Sequence, residues 1–233
     1  MANGLTAAQI CTRACGMADC PNYVVQAGDY LNQILSSLAR NWDFDLLRKS
    51  ATISVLAGQV DSYGRAGYNL PTDYLRGASF YYTINGANLI LNEIPLEQFD
   101  TLVLQPTLTA DPYWWTSDLS TTPATLYLYP VPQQSFTLQM RYRYLPADIS
   151  TPSTSSSIPW FPNTRYLLYQ VAADLMGYTA DERQATYLQI AEDELNKYMK
   201  MFNDDEGFGR QIKLDSRYFP GGGNIVPTKL QPL

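Results

Sequence analysis

The sequence contains no histidine among its 233 residues. Without imidazole, Ser-His-Asp and Cys-His catalysis, histidine-ligated zinc and histidine pH switches are all excluded. Charged residues are also scarce, at 16% of the chain against roughly 25% in typical soluble domains. Acidic residues outnumber basic ones by 22 to 16, so the formal net charge is −6. This balance argues against a dedicated binder of duplex DNA or anionic membranes, which would need a net basic surface.

Long hydrophobic runs and a secretory leader are missing as well. No run of about 18 apolar residues occurs, which predicts that no segment spans a membrane. The first residues lack the basic and apolar regions of a signal peptide. Together with the odd number of cysteines, three, this predicts free thiols in a reducing cytoplasm. We interpret Cys11, Cys15 and Cys20 as small buried apolar residues. A thiolate metal site is the alternative, but it lacks a fourth ligand, and we predict neither metal nor cofactor.

Residues 5–48 carry helical signals. Thr6 and Gln9 form a capping box, which predicts a helix that runs to about Met17. The Asp19–Asn22 segment then breaks the helix, and a second one is predicted from about Tyr23. Its apolar residues recur at the spacing of a stripe that packs against other helices; they are Ala27, Leu31, Ile34, Leu35, Leu38 and Trp42.

The next hundred residues change to the period of strands, in a chain rich in Tyr, Pro and Gly. Asn85-Gly86 lies between two β-prone runs and predicts a two-residue hairpin. Residues 124–144 predict a second hairpin, whose second arm alternates between an apolar face and a polar face. The apolar face consists of Phe136, Leu138, Met140, Tyr142 and Tyr144. Between the two hairpins, a short helix is predicted from Pro95 to about Leu104.

Helical signals return after a polar linker at residues 151–157. One helix is predicted after Pro162 and ends at Gly177. A second capping box, Thr179 and Glu182, precedes the last helix. Residues spaced by three and four on that helix form a seam suited to the core of a bundle or to a neighbouring subunit; we single out Leu188, Leu195, Tyr198 and Phe202.

These signals together predict an α+β fold in three parts. Residues 1–50 and 151–206 are predicted to form a helical bundle, and residues 51–150 an inserted antiparallel β module. Residues 207–233 are predicted to be an extended C-terminal arm, because their prolines and Gly221–Gly223 forbid a regular element. The arm carries a side-chain charge of +3, which leaves −9 on residues 1–206.

An arm of this composition does not pack against itself, and such termini are commonly disordered. Ordering it costs roughly 1–2 kcal/mol per residue in backbone entropy. We therefore expect the arm to gain order by docking on a partner. The residues predicted to make that contact are Arg210, Ile212, Lys213, Leu214, Arg217, Tyr218 and Phe219.

Few residues suggest chemistry, and we predict that the protein is not an enzyme. Asp43 and Asp45 are two positions apart and are candidates for a glycan-hydrolysing acid pair, although solvated turn carboxylates are the favoured interpretation. Arg141 and Arg143 share a strand face and are candidates for phosphate contacts, with cross-strand pairing favoured. The Tyr113–Trp115 run is a candidate for stacking on a sugar or, preferably, for a protein interface.

The order of short motifs along the chain resembles the head-to-tail adaptor family of short-tailed bacteriophages, also described as tail accessory factors or tubular-tail A proteins. The resemblance covers nearly the whole chain. The motifs that carry it are Thr6–Ile10, Leu31–Leu35, Trp42, Gly58-Gln59, Tyr68–Arg76, Leu128–Pro132 and Ala172–Leu175.

The resemblance implies a structural virion protein at the head–tail junction, assembled in the host cytoplasm. It implies a homo-oligomeric ring, usually twelve-fold, that lies beneath the portal, extends the DNA channel and offers a platform to the tail nozzle or fibres. In such proteins the helical bundle builds the ring and the arm docks on the portal. We expect Tyr113, Trp114 and Trp115 to face a tail partner, and an acidic channel wall to let DNA pass without specific binding. A carbohydrate-binding or glycan-degrading tail component is the alternative.

Overall fold

The computed structural model describes residues 4–84, 86–103 and 108–207. Five α-helices and nine strands lie in these residues, which confirms the α+β class. The helices are α1 (Ala7–Met17), α2 (Val24–Asn41), α3 (Leu96–Leu102), α4 (Thr164–Thr179) and α5 (Gln184–Gly207). The strands are β1 (Arg48–Val55), β2 (Ala66–Asn69), β3 (Tyr74–Ile84), β4 (Ala87–Glu93), β5 (Thr109–Ala110), β6 (Trp114–Asp118), β7 (Thr125–Tyr129), β8 (Val131–Pro132) and β9 (Phe136–Tyr144).

Helices α1, α2, α4 and α5 share one hydrophobic core. The predicted capping box begins α1: the Thr6 hydroxyl accepts from the Gln9 amide, and the Gln9 side chain accepts from the Thr6 amide. The predicted stripe of α2 faces this core from Ala27 to Leu38, whereas Trp42 is 40% exposed beyond the helix end. The N-terminal and C-terminal helices therefore pack together, although more than a hundred residues of sequence separate α2 from α4.

The serine-rich segment at residues 151–157 is part of this helical layer and not merely a linker. The carbonyls of Ser157 and Ser155 accept from the first-turn amides of Ala7 and Ala8, at 2.8 and 3.1 Å. These amides have no partner inside α1, so the segment satisfies donors that a helix start leaves free. Pro152 packs against the bare Cα of Gly28, where a Cβ atom would lie 3.2 Å from the proline ring.

The predicted boundary between the last two helices was wrong. Helix α4 continues past Gly177 to Thr179, and the left-handed Ala180 ends it. The Thr179 hydroxyl donates to carbonyls of α4 and does not cap α5. Gly177 serves a different purpose, because the Gln184 side chain lies where a Cβ atom would be.

Seven strands form one curled sheet in the order β1-β9-β3-β4-β6-β7-β2. All of its pairings are antiparallel except that of β4 with β6, and the short β5 and β8 also pair in parallel. The module is thus predominantly, but not purely, antiparallel as predicted. The parallel pairing is possible because α3 and β5 lie between β4 and β6 and allow the chain to cross over.

One predicted hairpin is confirmed and the other was wrong. Strands β3 and β4 pair from Ile84 and Ala87 outward, on either side of the predicted two-residue turn, and Gly86 has a φ of +80°. Strand β7, in contrast, pairs with β6 and β2, while β9 pairs with β1 and β3. Pro130 and Pro132, which lie between β7 and β9, have no backbone N–H to donate to a hairpin of these two strands. Val131 pairs with Thr109 instead.

The sheet encloses a second core that contains both aliphatic and aromatic side chains. The predicted alternation of β9 is confirmed, since Leu138, Met140 and Tyr142 are buried. Trp115 packs on Phe80 with ring centroids 4.1 Å apart, directly over the backbone of Gly77. The described part of the chain holds no helix long and apolar enough to cross a membrane.

The three cysteines are free and buried in the helical core. Burial raises the pKa of Cys11 to about 11 and that of Cys15 to about 12. The neutral thiol is therefore the favoured form, as expected for packing residues.

Gly77→Ala is expected to lower the free energy of unfolding by about 1–3 kcal/mol. A Cβ atom there would lie 2.5 Å from the Trp115 ring and 2.6 Å from the Phe80 ring, and neither can move without repacking the core. The matched control is Gly16→Ala, because no atom lies within 4 Å of its Cβ position in α1. The control should leave stability unchanged or raise it by up to about 1 kcal/mol. Urea titrations that show equal effects for both variants would contradict this packing.

Candidate assembly site

The loop between α2 and β1 joins the helical layer to the sheet. Arg143 on β9 is only 8% exposed, and its guanidinium donates to the carbonyl of Phe44 in this loop. The Arg143 Nε atom also lies 3.0 Å from an Asp43 carboxylate oxygen. Charge-assisted hydrogen bonds of this kind are among the stronger polar contacts, and a buried guanidinium requires them.

A second arginine, Arg76 on β3, reinforces the same connection. The register of β3 against β9 shifts between Tyr74 and Arg76, so that Arg76 lies opposite Arg143. The Arg76 guanidinium donates to the carbonyl of Arg40 at 2.9 Å and lies 3.3 Å from Asp43. Because the carbonyls of the last turn of α2 have no helical partners and carry partial negative charge, a cation there stabilises the helix end.

Phe44 anchors the same loop in the helical core. It is 3% exposed and packs against Trp160, Phe161 and Tyr198, with ring centroids between 5.4 and 6.2 Å away. The loop is thus held by apolar contacts on one side and by arginine on the other. This shared anchorage fixes how the two layers meet; we call Asp43, Phe44, Arg76 and Arg143 the junction.

Asp73 directly precedes β3, and its side chain connects this strand to β1 and β9. Its carboxylate accepts from the Lys49 ammonium at 2.6 Å and from the Tyr142 hydroxyl at 2.9 Å. Burial alone would raise the pKa of Asp73, but these two donors outweigh it and lower the pKa below its usual value. Burial raises the pKa of Tyr142 to about 12, and its hydrogen bond to Asp73 adds to the shift.

The carboxylates of Asp43 and Asp45 act as counter-ions. Asp43 contacts Arg76 and Arg143, and Asp45 lies 2.8 Å from Arg48. This placement favours a structural interpretation over a pair of catalytic acids. The predicted cross-strand pairing of Arg143 was wrong: its neighbours on β1 and β3 are Arg48 and Arg76, and its ion pairs are with Asp43 and Asp45 in the segment before β1. Arg141 is exposed.

The predicted seam of α5 is divided between core and surface. Leu195 and Tyr198 are half-buried against the helical core, and the Tyr198 ring lies 4.9 Å from that of Phe161. Leu188 is 37% exposed on the outer side of α5. The Phe202 side chain lies outside the described residues, so the assignment of the seam to a neighbouring subunit stays a prediction.

The aromatic run at the start of β6 has three different environments. Tyr113 is 43% exposed, Trp114 is half-buried, and Trp115 is 3% exposed in the sheet core. The predicted tail-partner surface therefore narrows to Tyr113 and Trp114. The Trp114 ring is nearly parallel to that of Tyr129 and in contact with Tyr113, an arrangement that fits packing better than a free platform for a sugar.

All seven predicted arm residues lie outside the described residues. They are Arg210, Ile212, Lys213, Leu214, Arg217, Tyr218 and Phe219. In the described part, no group of three or more Cys, Asp and Glu side chains is arranged to hold a metal ion.

Sequence reasoning missed the roles of Arg76, Phe44 and Asp73. Arg76 and Asp73 both belong to the Tyr68–Arg76 motif, so the resemblance pointed to the right segment. The hydrogen-bond partners of these three residues lie 24 to 99 positions away along the chain, and no local pattern marks them.

The described polar residues of the junction and around Asp73 hold structural elements together, and the contacts that they make lie within the fold. The family comparison gives the particular class: the model of the SU10 adaptor protein family matches residues 5–213. The chain belongs to this family of bacteriophage adaptor proteins, which confirms the resemblance inferred from the motifs. No curated protein matches the chain.

Arg143→Met is expected to lower the free energy of unfolding by about 2–3 kcal/mol, since it removes the buried guanidinium that donates to the Phe44 carbonyl and pairs with Asp43, and leaves these groups only the Leu47 amide and Arg76. Arg141→Met is the matched control on the same strand face, because Arg141 is exposed and makes no ion pair with a described residue. The control should change stability by less than about 0.5 kcal/mol. Equal losses for the two variants in urea unfolding would refute the role of the junction.

Asp73→Asn is expected to cost about 1–2 kcal/mol at pH 7. The folded-state pKa of Asp73 is depressed, so its carboxylate contributes stability above the ordinary aspartate pKa and loses it as pH falls through the folded value. The difference between wild type and variant should therefore shrink in urea titrations near pH 3. A difference that stays constant from pH 7 to pH 3 would be incompatible with an ionised Asp73.

Proposed function

We propose that this protein is a head-to-tail adaptor: it assembles as a ring beneath the portal, continues the DNA channel and presents an attachment surface for tail nozzle or fibre proteins. The observation that carries the proposal is the match to the SU10 adaptor family over residues 5–213. Family membership supports a structural role in the virion. The ring, its number of copies and the identity of each partner are parts of the proposal.

The described geometry supports a rigid building block. The junction binds the helical layer to the sheet with buried arginine contacts, and Asp73 braces the strands beneath it. A subunit that joins a portal to a tail needs its helical layer and its sheet to keep one relative orientation. Loss of that orientation in one copy would shift its contacts with neighbours on both sides.

The C-terminal arm is proposed to make the portal contact. Its side chains combine apolar and basic residues, and its charge is opposite to that of residues 1–206. Opposite charge favours a defined partner surface, and many copies acting together give avidity without any single contact being strong. On this proposal the isolated chain is monomeric or weakly associated, and the ring forms with the portal.

Removal of residues 208–233 is expected to abolish co-assembly with the portal protein of the same phage, while the circular dichroism spectrum and thermal midpoint stay near those of the full chain. The matched control removes only residues 220–233 and keeps all seven proposed contact residues. Native mass spectrometry of each chain with and without portal gives the masses. A stable complex formed equally well without residues 208–233 would reject the arm assignment.

A further inference from the structure

Three neighbouring strands of the sheet carry basic residues and no acidic ones. Strands β1, β9 and β3 lie side by side, and together they contain five Arg or Lys residues. Such segregation is unusual in a chain whose acidic residues are in excess. The basic residues of this half are Arg48, Lys49, Arg76, Arg141 and Arg143.

The segment between β3 and β8 has the opposite charge composition. Residues 87–129 contain five Asp or Glu residues and neither Lys nor Arg. They supply β4, β6 and β7, which continue the same sheet beyond β3, together with α3. The acidic residues of this half are Glu93, Glu97, Asp100, Asp111 and Asp118.

Local ion pairs neutralise much of the basic half but little of the acidic half. Four of the five basic side chains pair with Asp43, Asp45 or Asp73, which leaves Arg141 exposed and without an ion pair among the described residues. In the acidic half, Glu93 and Glu97 are exposed and likewise make no ion pair with a described residue. Each half thus has charged side chains that are free to pair with another molecule or to remain solvated.

One well-exposed apolar side chain accompanies each group of charges. On the basic side, the half-buried Tyr81 and Gln139 and the exposed Thr52 lie opposite one another on β3, β9 and β1, one row from Arg141. Ile90 continues this row on β4 and is 71% exposed. In the acidic half, Leu119 is 56% exposed. An apolar centre with a charged surround is the usual composition of a protein interface.

One edge of β4 is also uncovered. Strand β6 pairs with β4 only at Asn92 and Glu93, so the same edge from Ala87 to Leu91 has no strand partner among the described residues. The run from Ser79 to Asn92 contains no charged residue. Soluble proteins usually protect such edges with charge, proline or cover. This edge has no charged residue or proline, and no described strand covers it.

We propose that the occupant of this surface is a second copy of the same chain: the basic half of one β module contacts the acidic half of the next. The inference deepens the proposed function and rests on it, since it names a contact between neighbouring copies in the ring, beside those of the helical bundle. Two different patches on one chain that fit each other make a head-to-tail contact, and head-to-tail contacts close into rings when the rotation permits.

Charge complementarity decides in favour of a second copy. Residues 1–206 carry a charge of −9, so copies repel each other at long range and need opposite charges where they touch. Duplex DNA is a poorer occupant, because neutralising phosphates takes several free cations and the basic half retains only Arg141 without an ion pair.

Charge reversal tests the contact in the full chain with its portal. Arg141→Glu is expected to raise the concentration for half-maximal ring assembly about tenfold or more, because like charges then meet at each contact. The double variant Glu93→Lys and Glu97→Lys should have the same effect. Equimolar mixing of the two variants should restore assembly, since each then meets a complementary neighbour. Salt at 1 M should weaken wild-type assembly.

The matched control is Arg13→Glu, which makes the same charge change on the exposed side of α1. It should leave assembly unchanged, and thermal melts should show that all variants fold. Arg141→Gln replaces Arg141→Glu if the reversal itself prevents folding. Assembly of the Arg141 variants at wild-type concentration, or equal loss with Arg13→Glu, would overturn the proposal while leaving the adaptor function intact.

Two further outcomes would also overturn it. Rings that form normally while Arg141→Glu loses binding of a duplex DNA probe in anisotropy would assign the surface to DNA. A wild-type chain that forms no ring with or without portal would defeat the proposed function, and this inference with it.

Discussion

The guanidinium of Arg143 is the contact on which the arrangement of the two layers depends. It is buried beneath the loop that leaves α2, where it holds the Phe44 carbonyl and the Asp43 carboxylate. A buried cation without such partners would be strongly destabilising, so the loop and β9 can meet in one way only. Arg76 uses the same loop to cap α2. The helical core and the sheet core are separate clusters, and these arginines set their relative orientation.

An adaptor has to hold its shape while it contacts several neighbours, and the chain divides these tasks. Buried apolar clusters stabilise each layer, and the junction keeps the layers in register. Charges are sorted along the sheet, with basic residues on β1, β9 and β3 and acidic ones between β4 and β7. Four of the basic side chains form local ion pairs, which leaves Arg141 on one side and Glu93 and Glu97 on the other. These remaining charges are the ones that we propose direct how copies meet.

Local signals predicted much of the fold but little of the candidate site. The Thr6–Gln9 capping box, the Asn85-Gly86 turn and the alternation of β9 were visible, since each depends on residues a few positions apart. The pairing of β7 with β9 was wrong because adjacency in sequence favours a hairpin, whereas Pro130 and Pro132 remove the donors that one needs. The junction was missed because its members come from the loop after α2, from β3 and from β9. The prediction that Trp115 lies in an interface was wrong, because sequence alone does not distinguish an aromatic residue of the core from one of a binding surface.

The sequence by itself determined the α+β class, the helices apart from the end of α4, the Asn85-Gly86 hairpin, the absence of histidine chemistry and the family, since turn chemistry, hydrophobic period and motif order are properties of near neighbours. The tertiary structure alone decided which strands lie side by side, that Arg143 is buried while Arg141 is exposed, and that a serine-rich segment caps α1. Alternation along β9 places both arginines on one face, but only the loop packed over that face separates them. Contacts of this kind depend on how segments far apart in the sequence pack together, and no local sequence pattern indicates that packing.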